Sequence, residues 1–341
     1  MSVPRVGING FGRIGRLIVR ALLTQENKTN IVGINDLAPN EVLAHLFQFD
    51  SIHGKFNGTV EVTKTNLIIN GKYFSTWEEE DPINLPWEEL NTDFVIESTG
   101  LFRTRDNLEK HIYAGGKKVI LCAPPKNRGD VDITVIRGIN VERYNPSKHE
   151  IISNASTTTN CLAIVMKILD DAFGFEHGNF STVHAYTNDQ RLLDSKHEDK
   201  RRMRTAGINF FPTSSGAEKS INSVLPHLAN KVVGHAIRIP VPNVSLLDLT
   251  ARLKHKVKID DVIEAFRNAE NSSLKGIIQT ESRELVSSDY IGNPHSAIID
   301  IPTLKVIDAN QIKVLAWYDN EWGYANRIAE LVHELHMKNG N

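Results

Sequence analysis

Residues 5–36 read RVGINGFGRIGRLIVRALLTQENKTNIVGIND, and this stretch leaves the chain few folds to choose from. RVGIN (5–9) is a short apolar strand. IGRLIVRALL (14–23) carries Ile14, Leu17, Ile18, Ala21 and Leu22 at helical spacing. NIVGIND (30–36) is a second strand. Strand, turn, helix, strand is a crossover unit, and it demands a parallel sheet.

The turn itself, GFGRIG (10–15), matches G-x-G-x-x-G. Alone the pattern is weak. Here it follows a strand, opens a helix, and has Asp36 at the end of the next strand, about 20 residues on. Gly10 allows the tight turn, Gly12 lets backbone N–H groups approach a pyrophosphate, and Gly15 lets the helix pack on the sheet. The helix N-terminus adds partial positive charge. Asp36 accepts hydrogen bonds from a ribose 2′-OH and repels a 2′-phosphate. A Rossmann-type dinucleotide site follows, for NAD most simply.

The rhythm continues through DFVIEST (93–99), KKVILCA (117–123), DITVIRG (132–138) and EIISNA (150–155). A doubly wound parallel sheet is expected up to a boundary near residues 150–157. Beyond it, long strands appear with less helix between them: FSTVHAY (180–186), VGHAIRIP (233–240), SLLDLTARL (245–253), SAIIDI (296–301) and IKVLAWYD (312–319). This half reads as an α+β domain with a mainly antiparallel sheet. IDDVIEAFRNA (259–269) and YANRIAELVHELH (324–336) are amphipathic helices.

At the boundary stands SNASTTTNCL (153–162), with five hydroxyl side chains in seven positions before an apolar helix. One or two would cap the helix. Five point to an anion site as well, built from hydroxyls and helix N-terminal amides. PTSSGAEK (212–219) is a second hydroxyl-rich helix start, and KRRMR (200–204) and Arg238 offer the cations. His184, in STVHAYTNDQ, is a strand histidine whose pattern alone is more typical of packing than of catalysis.

At 341 residues the chain exceeds one ordinary core. A net charge of −2 argues against a nucleic-acid or membrane partner recruited by bulk charge. No apolar run approaches the roughly 18 residues of a membrane span. MSVPRVGING shows no apolar signal region. Cys122 and Cys161 lie in apolar segments, with neither disulfide nor metal spacing. The expectation is a cytoplasmic protein with no metal.

VGINGFGRIGR, IND, ISNAS followed by TTNCLA, HAYTNDQ, FFPTSSGAEKS, IRIPVPNVS and WYDNEWGYANR together carry a resemblance. Over essentially its whole length the chain resembles the glyceraldehyde-3-phosphate dehydrogenases. YTNDQ and PTSSGA fit that form better than its relative acting on erythrose 4-phosphate. The resemblance implies a NAD(P)-binding domain over 1–156, a catalytic domain over 157–320 and a C-terminal helix, 321–341, packing back on the cofactor domain. It implies NAD as cofactor with NADP possible, glyceraldehyde 3-phosphate and inorganic phosphate as substrates, a place in glycolysis and gluconeogenesis, and a homotetramer.

In that family a cysteine thiolate attacks the aldehyde, a histidine takes the proton, hydride passes to the nicotinamide, and phosphate cleaves the thioester. His184 matches the base. Thr187 and Arg238 match the binders of the substrate phosphate. Ser156, Thr158, Ser215 and Gly216 match the site of the attacking phosphate, and Arg202 lies between the two. Gly10, Gly12, Arg13, Ile14 and Asp36 match the cofactor turn and ribose ligand, with Cys122 bordering the adenosine side. Asn320 matches the holder of the nicotinamide amide.

Where the family reads S-N-A-S-C-T-T-N-C, this chain reads S-N-A-S-T-T-T-N-C. Thr157 stands at the nucleophile. A thiol titrates near 8.5 and lower beside histidine and a helix N-terminus, whereas an aliphatic hydroxyl titrates far higher. Cys161, one turn deeper, matches a buried family cysteine that is not the nucleophile. Ile164 replaces a frequent Pro, Glu80 a frequent basic residue, and Cys122 a Ser or Thr. Ser195-Lys196 stands where strictly NAD-dependent members have Leu-Pro; Lys196 favours a 2′-phosphate and Asp36 opposes it. Two readings follow. One is a dehydrogenase whose nucleophile was exchanged for Thr to trap a complex. The other is a natural non-catalytic paralogue acting as a cofactor-dependent binding or regulatory protein.

Overall fold

The computed structural model of the chain describes residues 3–25 and 28–340. Met1, Ser2, Glu26, Asn27 and Asn341, which the expected domain bounds include, lie outside the described residues. The chain forms two compact units. The first comprises Met1–Arg137, Val141–Ala155 and Ala325–Asn341, and the second Gly138–Asn140 and Ser156–Tyr324.

The first unit is built from β1 (Arg5–Asn9), α1 (Arg13–Thr24), β2 (Asn30–Asn35), α2 (Asn40–Gln48), β3 (Val60–Val62), β4 (Asn66–Ile69), β5 (Lys72–Trp77), β6 (Phe94–Glu97), α3 (Arg105–Tyr113), β7 (Val119–Leu121), β8 (Ile133–Thr134) and β9 (Ile151–Ser153). They form one sheet in the order β3-β4-β5-β2-β1-β6-β7-β9-β8. From β5 to β8 every pair is parallel. Val6, Ile8, Val95, Ile96, Val119 and Ile120 are wholly buried, as befits strands covered on both faces. The antiparallel edge β3-β4-β5 turns at Asn70-Gly71, both residues at positive φ (52° and 74°), the conformation of a tight hairpin.

The second unit starts with α4 (Thr157–Phe173) and continues through β10 (Phe175–Ala185), β11 (Phe211–Ser214), α5 (Ala217–Val224), β12 (Val232–Ile239), β13 (Ser245–Leu253), α6 (Ile259–Asn271), β14 (Ile278–Glu281), β15 (Ala297–Asp300), β16 (Lys305–Ile307) and β17 (Gln311–Tyr318). Its sheet runs β11-β12-β10-β13-β17-β15-β14, with β16 on β17. It is mainly antiparallel, with two parallel pairs, β10 with β12 and β14 with β15. The last helix, α7 (Trp322–Asn339), belongs to the first unit from Ala325 onward.

The units differ by a few residues from the expected bounds of 156 and 320. Ser156 goes with the second unit because its hydroxyl caps α4. Residues 321–324 go with it because Asp319 Oδ1 accepts the amides of Glu321 and Trp322. Among the described residues no helix is long and apolar enough to cross a membrane.

Candidate functional site

In the first unit the glycine turn behaves as its chemistry requires. Gly10 has φ +91°, and a Cβ there would sit 2.6 Å from Thr99 N. A Cβ on Gly15 would lie 2.0 Å from Gly10 O. Gly12 differs: a Cβ there meets nothing within 4 Å. Gly12 lines a cavity of about 280 Å³ together with Asn9, Gly10, Asn35, Asp36, Glu79, Glu80, Ser98 and Thr99. It is also the N-cap of α1 and supplies no side-chain cap, so the helix mouth opens on the cavity. These features fit a dinucleotide pyrophosphate.

Asp36 sits in this cavity, fixed by the amides of Phe11 (2.7 Å) and Ala38 (3.1 Å). The remaining carboxylate capacity is available to a ribose hydroxyl. Glu79 and Glu80 share the rim. The amide and carbonyl of Glu79 are tied to the side chain of Asn35 at 2.9 Å each. Of the cofactor residues expected in this unit, Arg13, Ile14 and Cys122 are not in this cavity lining. Arg13 pairs with Asp50 at 3.3 Å, Ile14 is half-buried, and Cys122 has its thiol pushed well up by burial and then by Glu97.

Beneath the turn lies a polar network that sequence reading missed. Glu97, wholly buried, accepts from Asn9 Nδ2 (2.6 Å), Thr99 N (2.8 Å) and Thr99 Oγ1. His111 Nδ1 accepts from Trp87 Nε1 at 3.1 Å. The proton of a neutral His111 therefore sits on Nε2 and goes to Glu97 at 3.1 Å. The network fixes the ends of β1 and β6 that carry the cavity.

In the second unit the hydroxyl cluster can be sorted residue by residue. Ser153, just before the boundary, donates to Ala123 O (2.8 Å) and accepts from Ala155 N (3.0 Å). Ser156 caps α4, accepting from Thr159 N (3.1 Å), and its hydroxyl meets that of Thr159 at 2.7 Å. Thr158 Oγ1 bonds Tyr318 OH at 2.9 Å, and that phenol also bonds Thr182 Oγ1 at 2.7 Å. Thr157 is left over. Among the described residues its hydroxyl makes no hydrogen bond, and it is half-exposed beside Asn160, Ser296 and Tyr318. The backbone reaches it through Ala155 at φ +56°, a left-handed conformation that costs a non-glycine residue about 1–2 kcal/mol.

His184 is the penultimate residue of β10, and the parallel register of β10 with β12 sets it beside Arg238. His184 Nδ1 lies 2.7 Å from Ala185 O and 2.9 Å from Arg238 Nη1. Burial first, then Arg238 and Arg202, push the imidazole down to about 3. It is neutral at pH 7. The rings of Tyr318 and His184 meet in a T shape, their centroids 6.2 Å apart. Burial and then Arg202 lower Arg238 to about 10. Arg202 bonds Asp189 through Nη1 and Thr213 Oγ1 through Nε (3.2 Å). Two guanidiniums that disfavour each other attract an anion between them.

The other expected residues are engaged locally. Gln190 Oε1 takes both the amide (2.8 Å) and hydroxyl (2.9 Å) of Thr187. Ser215 Oγ accepts from Ala217 N (3.2 Å) at the mouth of α5. Gly216 is the N-cap of α5, and a Cβ there meets nothing within 4 Å. Asn320 Oδ1 accepts from Ser245 Oγ (2.8 Å), which in turn accepts from Ala185 N (3.2 Å). Ser245 follows Val244, whose φ of +68° is an outlier for a β-branched residue. Ser245, Tyr318, Thr182 and Gln190 were not singled out in the sequence. The signal for Ser245 and Gln190 was present: each closes a long matching stretch. Cys161 is wholly buried, with its thiol pushed far up, so it offers no thiolate. Among the described residues no cluster of His, Cys, Asp or Glu suits a metal.

Comparison with known proteins bears on both units. The family "Glyceraldehyde 3-phosphate dehydrogenase, NAD binding domain" matches residues 4–105, and "Glyceraldehyde 3-phosphate dehydrogenase, C-terminal domain" matches residues 156–320. Glyceraldehyde-3-phosphate dehydrogenase 2 of Bacillus subtilis is 47% identical over 331 residues, covering 97% of this chain and 96% of that one. The Geobacillus stearothermophilus dehydrogenase is 47% identical over 334 residues, 98% of each chain. That of Mycobacterium avium is 48% identical over 334 residues, 96% of this chain and 97% of the relative. NAD is the cofactor of the domain that residues 4–105 match. Likeness of this extent across both units shows that the chain belongs to the glyceraldehyde-3-phosphate dehydrogenase family, NAD-dependent oxidoreductases built on a Rossmann domain.

Proposed function

We propose that this chain is built to oxidise D-glyceraldehyde 3-phosphate with NAD and inorganic phosphate to 1,3-bisphosphoglycerate, and that Thr157 leaves it without an effective nucleophile. One observation carries the reading. Of the hydroxyls at the α4 boundary, Thr157 alone is unspent, in a unit that also holds a neutral buried histidine flanked by two arginines. The position is equipped for attack on a carbonyl, and the attacking atom is the weak one.

The roles follow from the donors. His184 is the base. Arg238 and Thr187 take the substrate phosphate, with Arg202 serving this site and that of inorganic phosphate. Ser156, Thr158, Ser215 and Gly216 form the latter. A phenol that donates to Thr158 Oγ1 leaves the Thr158 proton for the anion. Gly10, Gly12, Arg13, Ile14 and Asp36 hold the dinucleotide, and Asn320 offers its amide Nδ2 to the nicotinamide. NAD supplies the hydride acceptor when bound. Asp36 disfavours NADP. With a hydroxyl at residue 157, His184 has to remove a proton bound far more tightly than a thiol's, and an oxygen ester lacks a thioester's reactivity toward phosphate. The retention of His184, Thr187, Arg202, Arg238 and Asn320 favours this reading over a non-catalytic paralogue. The exposed apolar side chains Leu192, Leu193, Ile208 and Phe210 (72–81% exposed) support self-association into the homotetramer expected from the family.

The test is to mix the chain with NAD, phosphate and glyceraldehyde 3-phosphate and measure binding by calorimetry and adducts by intact mass. The expected result is saturable non-covalent binding with no acyl group on residue 157. An adduct on Thr157 or Cys161 that forms and decays at the rate of turnover would overturn the reading.

A further inference from the structure

Three polar atoms form a triangle at the end of β10. His184 Nδ1 is 2.7 Å from Ala185 O and 2.9 Å from Arg238 Nη1, and the same Nη1 is 3.0 Å from Ala185 O. A neutral ring nitrogen either carries the proton and donates, or lacks it and accepts. With the proton on Nδ1, His184 donates to Ala185 O but confronts an N–H of a cation. With the proton on Nε2, Nδ1 accepts from Arg238 while its lone pair faces a carbonyl. Either form leaves one side of the triangle unfavourable. Arg238 Nη1 keeps its bond to Ala185 O in both forms; what differs is whether a lone pair or an N–H of Nδ1 faces the guanidinium, and the positive charge favours the lone pair, so Arg238 decides. The charges acting on the imidazole are both cations, Arg238 from β12 and Arg202, and the Tyr318 ring from β17 packs against it in a T shape.

We propose that Arg238 sets the tautomer of His184 and that an anion bound by Arg238 switches it. Without the anion, Arg238 donates to Nδ1 and the proton stays on Nε2. With it, the guanidinium turns its N–H groups to the anion, the proton sits on Nδ1 against Ala185 O, and Nε2 becomes an acceptor. One proton leaves Nε2 to water and one arrives at Nδ1 from water, so the charge is unchanged. Only an unprotonated Nε2, the nitrogen not engaged with Ala185 and Arg238, takes a proton from the attacking group at residue 157. The base is thereby readied by the phosphate of the substrate, and an aldehyde lacking phosphate meets it unready. The inference rests on the reading of Arg238 as a phosphate ligand and His184 as the base.

The test uses the full chain with ¹⁵N-labelled histidine, His184 being identified by its loss in His184→Asn. The ring nitrogens are followed by NMR as inorganic phosphate is added, with phosphate binding measured in parallel by calorimetry. Expected is a change from the Nε2–H to the Nδ1–H form, about tenfold or more in tautomer ratio, the equivalent of about 1.4 kcal/mol. Arg238→Gln is expected to show Nδ1–H with or without phosphate. Sulfate should switch the parent as phosphate does, and chloride at equal ionic strength should not; this arm needs no variant. Phosphate that binds without changing the tautomer overturns the switch alone. Absence of phosphate binding overturns the anion site and the switch together.

Discussion

Two alanine substitutions in one turn are expected to fail in opposite ways. At Gly15 a Cβ would stand 2.0 Å from Gly10 O, where real Cβ atoms keep beyond 3.0 Å. The obstacle is backbone, so the start of α1 has to shift from β1 by about 1 Å or more. Overpacking of this kind costs about 1–3 kcal/mol and occasionally more. Gly15→Ala is therefore expected to lower the melting temperature by about 2–4 °C for each kcal/mol lost. At Gly12 the same methyl meets no protein atom within 4 Å, and φ of −68° suits any residue. The poorer N-cap is offset by a stiffer unfolded chain, so stability should stay within about 1 kcal/mol. The methyl instead occupies the cavity at the helix mouth. Loss of one charge-assisted contact there, about 1.5–3 kcal/mol, weakens NAD binding about 10- to 150-fold. Scanning calorimetry and NAD titration of both variants separate the effects. Parental NAD affinity in Gly12→Ala, or parental stability in Gly15→Ala, refutes the assignment of the turn.

Asp36→Ala removes a carboxylate from the ribose end of the cavity, and the ratio of NADP to NAD affinity should rise at least about fivefold, or about 1 kcal/mol; an unchanged ratio removes Asp36 from the ribose. Tyr318→Phe deprives two buried threonine hydroxyls of a shared partner, at about 1–3 kcal/mol. Hydrogen exchange in α4 and β10 should quicken accordingly, and unaltered exchange contradicts the bridge. His184 is held down to about 3 against an ordinary 6.5, so between these values the unfolded chain binds more protons. The native state thus keeps this contribution above about pH 6.5 and loses it as pH falls toward 3, by up to about 1.4 kcal/mol per pH unit. His184→Asn should flatten acid destabilisation over that range, and an identical acid profile argues against a neutral buried His184.

Much of the architecture is local and was therefore legible. β1 and β13 fall at the residues their apolar patterns delimit, 5–9 and 245–253. The hairpin β4–β5 escaped notice although Asn70-Gly71 is a strong turn signal; in β5 only Phe74 is buried, so no apolar run marks it. α3 was also missed: only Leu108 and His111 are buried in it, which leaves no apolar stripe. The two parallel pairs in the second sheet are non-local, and no periodicity encodes them. The same holds for the site. The glycine turn and Asp36 lie within one crossover unit and could be read from spacing. The pairing of His184 with Arg238 depends on the register of β10 against β12, and the link from Thr158 through Tyr318 to Thr182 spans three elements. Neither is visible in one dimension. Resemblance named His184, Arg238 and Thr158 but neither Tyr318 nor Thr182, and it did not tell which hydroxyl of the cluster would be left without a partner.

The central claim is that the second unit holds a complete site lacking only its nucleophile. The most direct measurement is the steady-state rate of NADH formation from glyceraldehyde 3-phosphate and phosphate, in the parent chain and in Thr157→Cys. Restoring a thiol in a unit that holds a neutral histidine restores covalent catalysis, and loss of such a group costs orders of magnitude. The account predicts a variant at least about 10³-fold faster than the parent, with unchanged NAD affinity. A difference within about tenfold, worth only about 1.4 kcal/mol of barrier, would contradict it.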